Sequence, residues 1–416
     1  MKKNISGFSK LSKNEKIDWL IENHFNNQNS FRKILMQYWN SNSELQNLHD
    51  DFIENSISNY YMPLAISPNF IINGKYYTIP MVIEESSVVA AASKAANYWS
   101  CKGGFKSEIL SFEKLGHVHF IYNGSYNELS SFISIIKPVL FKETSHITNS
   151  MKKRGGGILS IDLIDKTDKI KNYYQLKVIF NTIDSMGANF INSCLEKFSE
   201  ILITKSNEYQ IFLNKKNKIK IIMSILSNYL PNCIVKASVK CEINLLDKEN
   251  KISRKEFAEK FVQAVNIAKI DPYRAVTHNK GIMNGIDSVV LATGNDFRAV
   301  EANAHAYSSR NGKYSSLSNA WIENNEFNFE LKIPLSIGTV GGLTNIHPLV
   351  KWSLKLLNNP DAKELMEITA AVGLAQNFAA IRSLITNGIQ KGHMKMHLIN
   401  ILNQLNASSK QKEKAI

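Results

Sequence analysis

The stretch AVTHNKGIMNG, residues 275–285, sets one cation, Lys280, among His278, Asn279 and Asn284, with Gly281 and Gly285 leaving little bulk around it. It reads as a cramped, backbone-rich loop, and its chemistry depends on what converges on the ammonium. Further on, Asp296 sits in a Thr-Gly-Asn-Asp turn directly after SVVLAT, which reads as a buried strand. A carboxylate at a strand's exit can pair with a lysine in a neighbouring loop, either as a plain ion pair or as part of a site.

Other groups could join them. Glu84 and Glu85 close the apolar run IPMVI just before an alanine-rich segment. Adjacent strand-end carboxylates on an alternating strand face opposite ways. One is expected to point inward, where lost hydration favours the protonated acid and makes it a proton donor. The alternative is that both stabilise the N-terminus of the next helix. At VIFNTIDSMGANFINS a strand-like run gives way to a helix, with Asp184 and Ser185 as candidate N-caps and Gly187 and Ala188 keeping the start uncrowded. Exposed amides there attract phosphate, although a capped helix packed through small residues reads equally well, and a G-x-G-x-x-G fingerprint is absent. RGGG at 154–157 is open to the same two readings, a flexible turn or a phosphate-facing loop. His393 and His397 are four apart, as metal pairs can be, but H-E-x-x-H and a third ligand are missing, so no metal is assigned. A histidine in the glycine-hinged segment after Asn387-Gly388 suits a proton donor on a moving flap.

The elements that must position these groups can be traced along the chain. The first 50 residues carry apolar side chains at helical spacing. PLAISPNFIINGKYYTIPMV alternates about Asn73-Gly74 and reads as a hairpin, followed by a small-residue helix, EESSVVAAASKAANYWS. From about residue 115, GHVHFIYNG, GGGILSIDLID, YQLKVIFNTID and KIKIIMSIL are strand-like and alternate with helical ELSSFISIIKPVLF and ANFINSCLEKFSEILI. SRKEFAEKFVQAVNIAKI returns to helix, FNFELKIPLSIGTV is strand-like, and helices continue to about residue 405. The expected fold class is α+β. A large mixed domain, 1–114 and 221–375, is interrupted by a small α+β unit at 115–220, and a helical flap follows at 376–416.

The 416 residues suit two or three domains, and 44% hydrophobic with 10% aromatic residues excludes disorder. No apolar run approaches the roughly 18–20 residues of a membrane span, and the lysine-bearing start lacks the apolar core of a signal peptide. Four scattered cysteines fit reduced thiols, so the cytoplasm is the expected compartment. A formal charge of +14 suits anionic partners. A basic nucleic-acid-binding protein would carry basic residues interleaved with exposed aromatics, and that pattern is not evident.

Taken together, EESS…DSMGAN…THNKGIMNG…ATGND…GLAQNFAA…GH resembles the 3-hydroxy-3-methylglutaryl-CoA reductases, in their shorter bacterial class II form, from about residue 50 to 405. The rival is another NAD(P)-dependent reductase sharing only the cofactor turn; the Lys280–Asp296 block argues against it. The resemblance implies a two-step, four-electron reduction of hydroxymethylglutaryl-CoA to mevalonate and coenzyme A with NADH or NADPH. It implies catalytic roles for Glu85, Lys280, Asp296 and His393. Ser87, Arg274, Asn284 and Asn377 would hold substrate or brace the catalytic groups. Asp184, Met186, Gly187 and Asn189 would contact the dinucleotide in a ferredoxin-like rather than Rossmann domain. An obligate homodimer is the family's expectation, with no nucleic-acid or membrane partner. One departure stands out: the family's E-N-x-I-G motif reads Glu54-Asn55-Ser56-Ile57-Ser58, with serine for its glycine.

Overall fold

The computed structural model describes residues 4–246, 252–386 and 388, with a few further positions from 401 onward. Residues Met1–Pro63 and Leu64–Ile416 form two compact units.

In the first unit, helix α1 (Lys13–His24) opens on a reciprocal cap in which Ser12 and Glu15 each accept the other's backbone N–H. Helices α2 (Asn29–Gln37) and α3 (Ser43–Asp50) follow. The Lys13 ammonium ties α1 to Asp50 at 2.8 Å. Asn55 takes the left-handed conformation, at φ 59°, and Ser58 does not. The Ser58 hydroxyl instead donates to the Leu35 carbonyl at 2.7 Å. The backbone therefore has no need of the family's glycine at 58.

The second unit opens with the expected hairpin, β1 (Leu64–Ile72) against β2 (Lys75–Val82). Its turn uses Asn73 and Gly74 at φ 50° and 81°, the paired left-handed residues of a tight hairpin. Helix α4 (Val88–Ser100) and strand β3 (Lys106–Ile109) come next. Then β4 (Lys114–Tyr122), α5 (Tyr126–Glu143), α6 (Ser145–Lys153), β5 (Gly157–Asp165), β6 (Tyr173–Asn181), α7 (Ala188–Glu208), α8 (Gln210–Lys215) and β7 (Ile219–Leu226) build one antiparallel sheet of order β5-β6-β4-β7. Strand β4 alternates buried and half-buried along its whole length, with Val118, Phe120 and Tyr122 on the buried parity. These side chains share a core with Leu129 and Phe132 of α5 and Leu195 and Phe198 of α7.

A second sheet, β3-β8-β10-β9, is completed by β8 (Ile234–Glu242), β9 (Ser318–Glu323) and β10 (Glu326–Pro334). Helices α9 (Arg254–Ile270), α10 (Pro272–Ala292), α11 (Phe297–Ser308), α12 (Pro348–Leu356) and α13 (Ala362–Ile385) belong to this part of the chain. Its core is continuous with the hairpin and α4, and α13 contributes most densely to it, from Leu365 to Ile381.

The structure departs from the sequence expectations in four places. The passage 275–285 is helix, and so is SVVLAT up to Ala292: both belong to α10, which Asp271 caps and Pro272 opens. Gly281 and Gly285 do not mark a loop, and Gly285 lets two helices approach. A Cβ on Gly285 would stand 2.9 Å from Gln376 Cβ and from the Val372 carbonyl oxygen of α13. Gly373 returns the contact, since its Cβ would lie 2.7 Å from Ile286 Cγ1. Second, strand β7 continues to Leu226, so a boundary at 220 falls inside a hydrogen-bonded strand. Third, a boundary at 375 falls inside α13, where Gln376 and Asn377 are buried. Fourth, α13 has the length and apolarity of a membrane span, but most of it is buried in the protein's own interior.

The close approach of α10 and α13 decides the sign of one substitution. Gly285→Ala would favour an isolated helix by about 1 kcal/mol. Here the methyl meets backbone, and overpacking costs roughly 1–3 kcal/mol. The variant is expected to unfold at a lower denaturation midpoint than the wild type; an unchanged or higher midpoint would show that the two helices part freely.

Candidate active site

Helical phase sorts the residues of the 275–285 passage into two sets. His278 and Asn279 point into the protein and are buried. Asn279 donates to Ser308 Oγ at 2.8 Å and to the Ser315 carbonyl at 3.0 Å, and its Oδ1 accepts the Leu317 N–H at 3.0 Å. The His278 ring meets Ser318 Oγ at 2.7 Å, and that hydroxyl donates to Asn377 Oδ1 at 2.8 Å. With its one proton committed to Asn377, the hydroxyl must accept from His278, which places the ring proton on Nε2. Burial, with the nearby Arg274 guanidinium, pushes the imidazole down to about 3, so it is a neutral bracket. Asn377 thus braces α10 from behind.

Lys280 and Asn284, one turn apart, share the outward face. Both reach Glu85, which lies in the link between β2 and α4: Lys280 Nζ donates to Glu85 Oε2 at 2.8 Å and Asn284 Nδ2 to the same oxygen at 3.3 Å. The partners are 195 residues apart in sequence. With side-chain exposures of 61% and 36%, the ion pair contributes little to stability. It fixes where an ammonium and a carboxyl group stand relative to each other. Glu84 faces solvent and Glu85 is half-buried, so the two carboxylates do diverge.

Asp296 does not bond to Lys280. Its Oδ1 caps α11, accepting from the Arg298 and Ala299 amides at 3.1 and 3.2 Å, with Arg298 Nε at 3.3 Å. The expected strand exit is a helix-to-helix turn, and a carboxylate there first satisfies free helical amides. Among the described residues Oδ2 accepts no hydrogen bond. Arg274, in the first turn of α10, is half-buried, and lost hydration lowers its pKa. Ser87 occupies the N-cap position of α4, but its hydroxyl bonds to none of the helix amides. His393 and His397 lie outside the described residues.

A family model described as hydroxymethylglutaryl-coenzyme A reductase matches residues 14–398. The chain is 33% identical to the 3-hydroxy-3-methylglutaryl-coenzyme A reductase of Archaeoglobus fulgidus, over 100% of this chain and 90% of that protein. This chain belongs to the hydroxymethylglutaryl-coenzyme A reductase family. Two solved structures from Streptococcus pneumoniae agree. A 3-hydroxy-3-methylglutaryl-coenzyme A reductase superposes at TM-score 0.75 with 33% identity, covering 98% of this chain and 94% of that one. A class II enzyme bound to NADPH superposes at 0.74 with 35% identity, covering 89% and 86%.

The family's DSMGAN segment forms the turn between β6 and α7. Gly187, not Asp184 or Ser185, is the N-cap of α7, at φ 88°. A Cβ there would stand 2.4 Å from Thr182 Cγ2, so glycine is required on two counts. The two expected caps bind elsewhere: Asp184 Oδ1 accepts the Ala362 N–H at 2.9 Å, and Ser185 Oγ accepts the Gly187 N–H at 3.0 Å. That leaves the 21-residue helix with no side-chain cap on its first amides. Such an end suits the phosphates of a dinucleotide. Asn189 is exposed on the first turn of α7.

Sequence reading missed the residues that hold this turn. Gly338 lies so close that a Cβ would be 2.5 Å from the Met186 nitrogen, and its own N–H donates to Asn295 Oδ1 at 2.8 Å. Asn295 adjoins Asp296, so the ATGND turn and the DSMGAN turn are linked through one glycine. Lys114 also supports the turn. The parity of KLGHVHFIY that sends Val118, Phe120 and Tyr122 inward sends Lys114 inward as well, a signal the sequence did contain.

Proposed function

We propose that the chain reduces hydroxymethylglutaryl-CoA to mevalonate and coenzyme A, using two equivalents of NADH or NADPH, as an obligate homodimer. In this reading the β5-β6-β4-β7 unit, a βαββαβ arrangement of ferredoxin-like order, carries the dinucleotide, and the rest of residues 64–386 carries the substrate. The observation that supports it most is the meeting of Glu85, Lys280 and Asn284 from distant parts of the chain.

The nicotinamide, when bound, supplies both hydrides. Asp184, Met186, Gly187 and Asn189, around the uncapped start of α7, would hold the dinucleotide. Each reduction turns a carbonyl oxygen into a developing oxyanion, and the Lys280 ammonium would stabilise that charge. Asn284 holds Glu85 in register with it. Glu85 would donate the proton during reduction of the bound aldehyde. Asp296, through its unbonded Oδ2, would orient the ammonium. Arg274 and Ser87, neither bonded to a neighbouring side chain among the described residues, suit the substrate's carboxylate and hydroxyl. Coenzyme A leaves as a thiolate that can attack the aldehyde again, because a thiol ionises near a pKa of about 8.5. His393 would protonate it.

The decisive assay follows nicotinamide absorbance with hydroxymethylglutaryl-CoA, each cofactor tested separately. No oxidation of either cofactor by the intact dimer would overturn the reading. His393→Gln is expected to slow thioester reduction by about 10²-fold or more while largely sparing reduction of added mevaldehyde. Equal damage to both would refute thiolate protonation.

A further inference from the structure

Lys114 opens β4 and is 1% exposed, yet among the described residues no carboxylate is bonded to it. Its Nζ donates to two backbone carbonyls of the 184–187 turn, Ser185 O at 2.7 Å and Met186 O at 3.1 Å. Ser185 O also accepts the Thr182 hydroxyl at 2.6 Å. Burying an ammonium without a counter-ion is costly, and an apolar side chain would fill the space at less cost. The charge therefore needs a reason beyond packing.

The carbonyls supply one. Their hydrogen bonds tie both carbonyls to the Lys114 ammonium, which offsets the repulsion that carbonyl oxygens near the helix start would exert on phosphate. The first amides of α7 have no side-chain cap, and the helix dipole adds positive potential there. We propose that Lys114 is a positioning residue for the cofactor: its ammonium clamps the carbonyl side of the 184–187 turn, so that the amide side faces the anionic dinucleotide. This rests on reading Asp184–Asn189 as the cofactor turn.

The surroundings make the clamp sensitive to pH. The titratable groups facing Lys114 are the Cys233 thiol and the Asp184 carboxylate; Glu113 and Lys177 line the adjoining cavity, and the Phe112 ring lies 5.5 Å away with Lys363 on it at 5.4 Å. Burial lowers the ammonium to about 8, against the smaller opposing pull of Cys233 and Asp184. A dinucleotide binds better to the protonated form, so its affinity should fall as pH rises through that value.

The test is a direct titration of the full-length enzyme with NADH and NADPH between pH 7 and 9.5, alongside steady-state kinetics. Lys114→Met is expected to weaken cofactor binding by roughly tenfold to a hundredfold, the range a charged hydrogen bond represents. The KM for hydroxymethylglutaryl-CoA should stay within about twofold, and the rise in cofactor Kd above pH 8 expected of the wild type should vanish. Unchanged cofactor Kd in folded Lys114→Met would overturn the proposal. A parallel rise in both KM values with a lowered denaturation midpoint would overturn it too, because that marks a purely structural lysine. If Lys114→Met does not fold, the wild-type profile decides, and a cofactor Kd flat through pH 8 refutes the clamp. Asn189→Ala separates the two levels: if it weakens cofactor binding and Lys114→Met does not, the turn reading stands and the clamp falls. If neither variant affects cofactor binding, the turn reading itself falls.

Discussion

Lys280→Met is expected to lower kcat by at least about 10²–10³-fold, the cost of removing one oxyanion donor, on hydroxymethylglutaryl-CoA and on free mevaldehyde alike. On the proposed mechanism both substrates must be affected, because each hydride addition places new negative charge on a carbonyl oxygen and the same ammonium would serve both. Methionine retains most of the stem volume, so packing is preserved. The lost ion pair is exposed enough that stability should barely change. Steady-state rates on the two substrates, with a denaturation midpoint as control, check this. Loss on only one substrate would mean that Lys280 acts in one reduction and that another group stabilises the second oxyanion.

Glu85→Gln carries the next largest effect, a loss of about 10²–10⁴-fold in mevaldehyde reduction, the range for a positioned proton donor. The amide oxygen can still accept from Lys280 and Asn284, which share Glu85 Oε2 at 2.8 and 3.3 Å, so the geometry is retained and only the transferable proton is lost. Glu84→Gln is the internal control. Its carboxylate faces solvent, and the variant should keep activity within about twofold of wild type. If the two variants behaved alike, the loss would come from changed charge at the mouth of the site rather than from a missing acid.

The same pair shows how far the site was legible in one dimension. Glu85 is the more buried of the two carboxylates, as expected, but strand alternation is not the reason, because β2 ends at Val82 and both glutamates lie in the link to α4. The tight hairpin was readable, since Asn-Gly supplies the two left-handed residues that such a turn demands. The 275–285 passage misled for an equally physical reason. Glycine breaks an isolated helix, and a valine-rich run fits a buried strand. Local preference could not anticipate that α13 would pack against Gly285 closely enough to leave no room for a Cβ. Asp296 was marked for its carboxylate, but its partner was misjudged: free amides of the next helix, adjacent in the chain, claim Oδ1 ahead of a lysine on another turn.

The chemistry-bearing residue types, their order, the hairpin and the alternation of β4 and β6 were determined by the sequence alone, because each depends on short-range periodicity or a local backbone requirement. Tertiary structure decided which groups meet. Lys280 faces Glu85 because helical phase turns His278 and Asn279 into the core. The DSMGAN turn is held at two of its carbonyls by Lys114, which comes from β4, 71 and 72 residues earlier in the chain. Contacts of that kind join side chains far apart in the chain, and no local pattern encodes the distance between them.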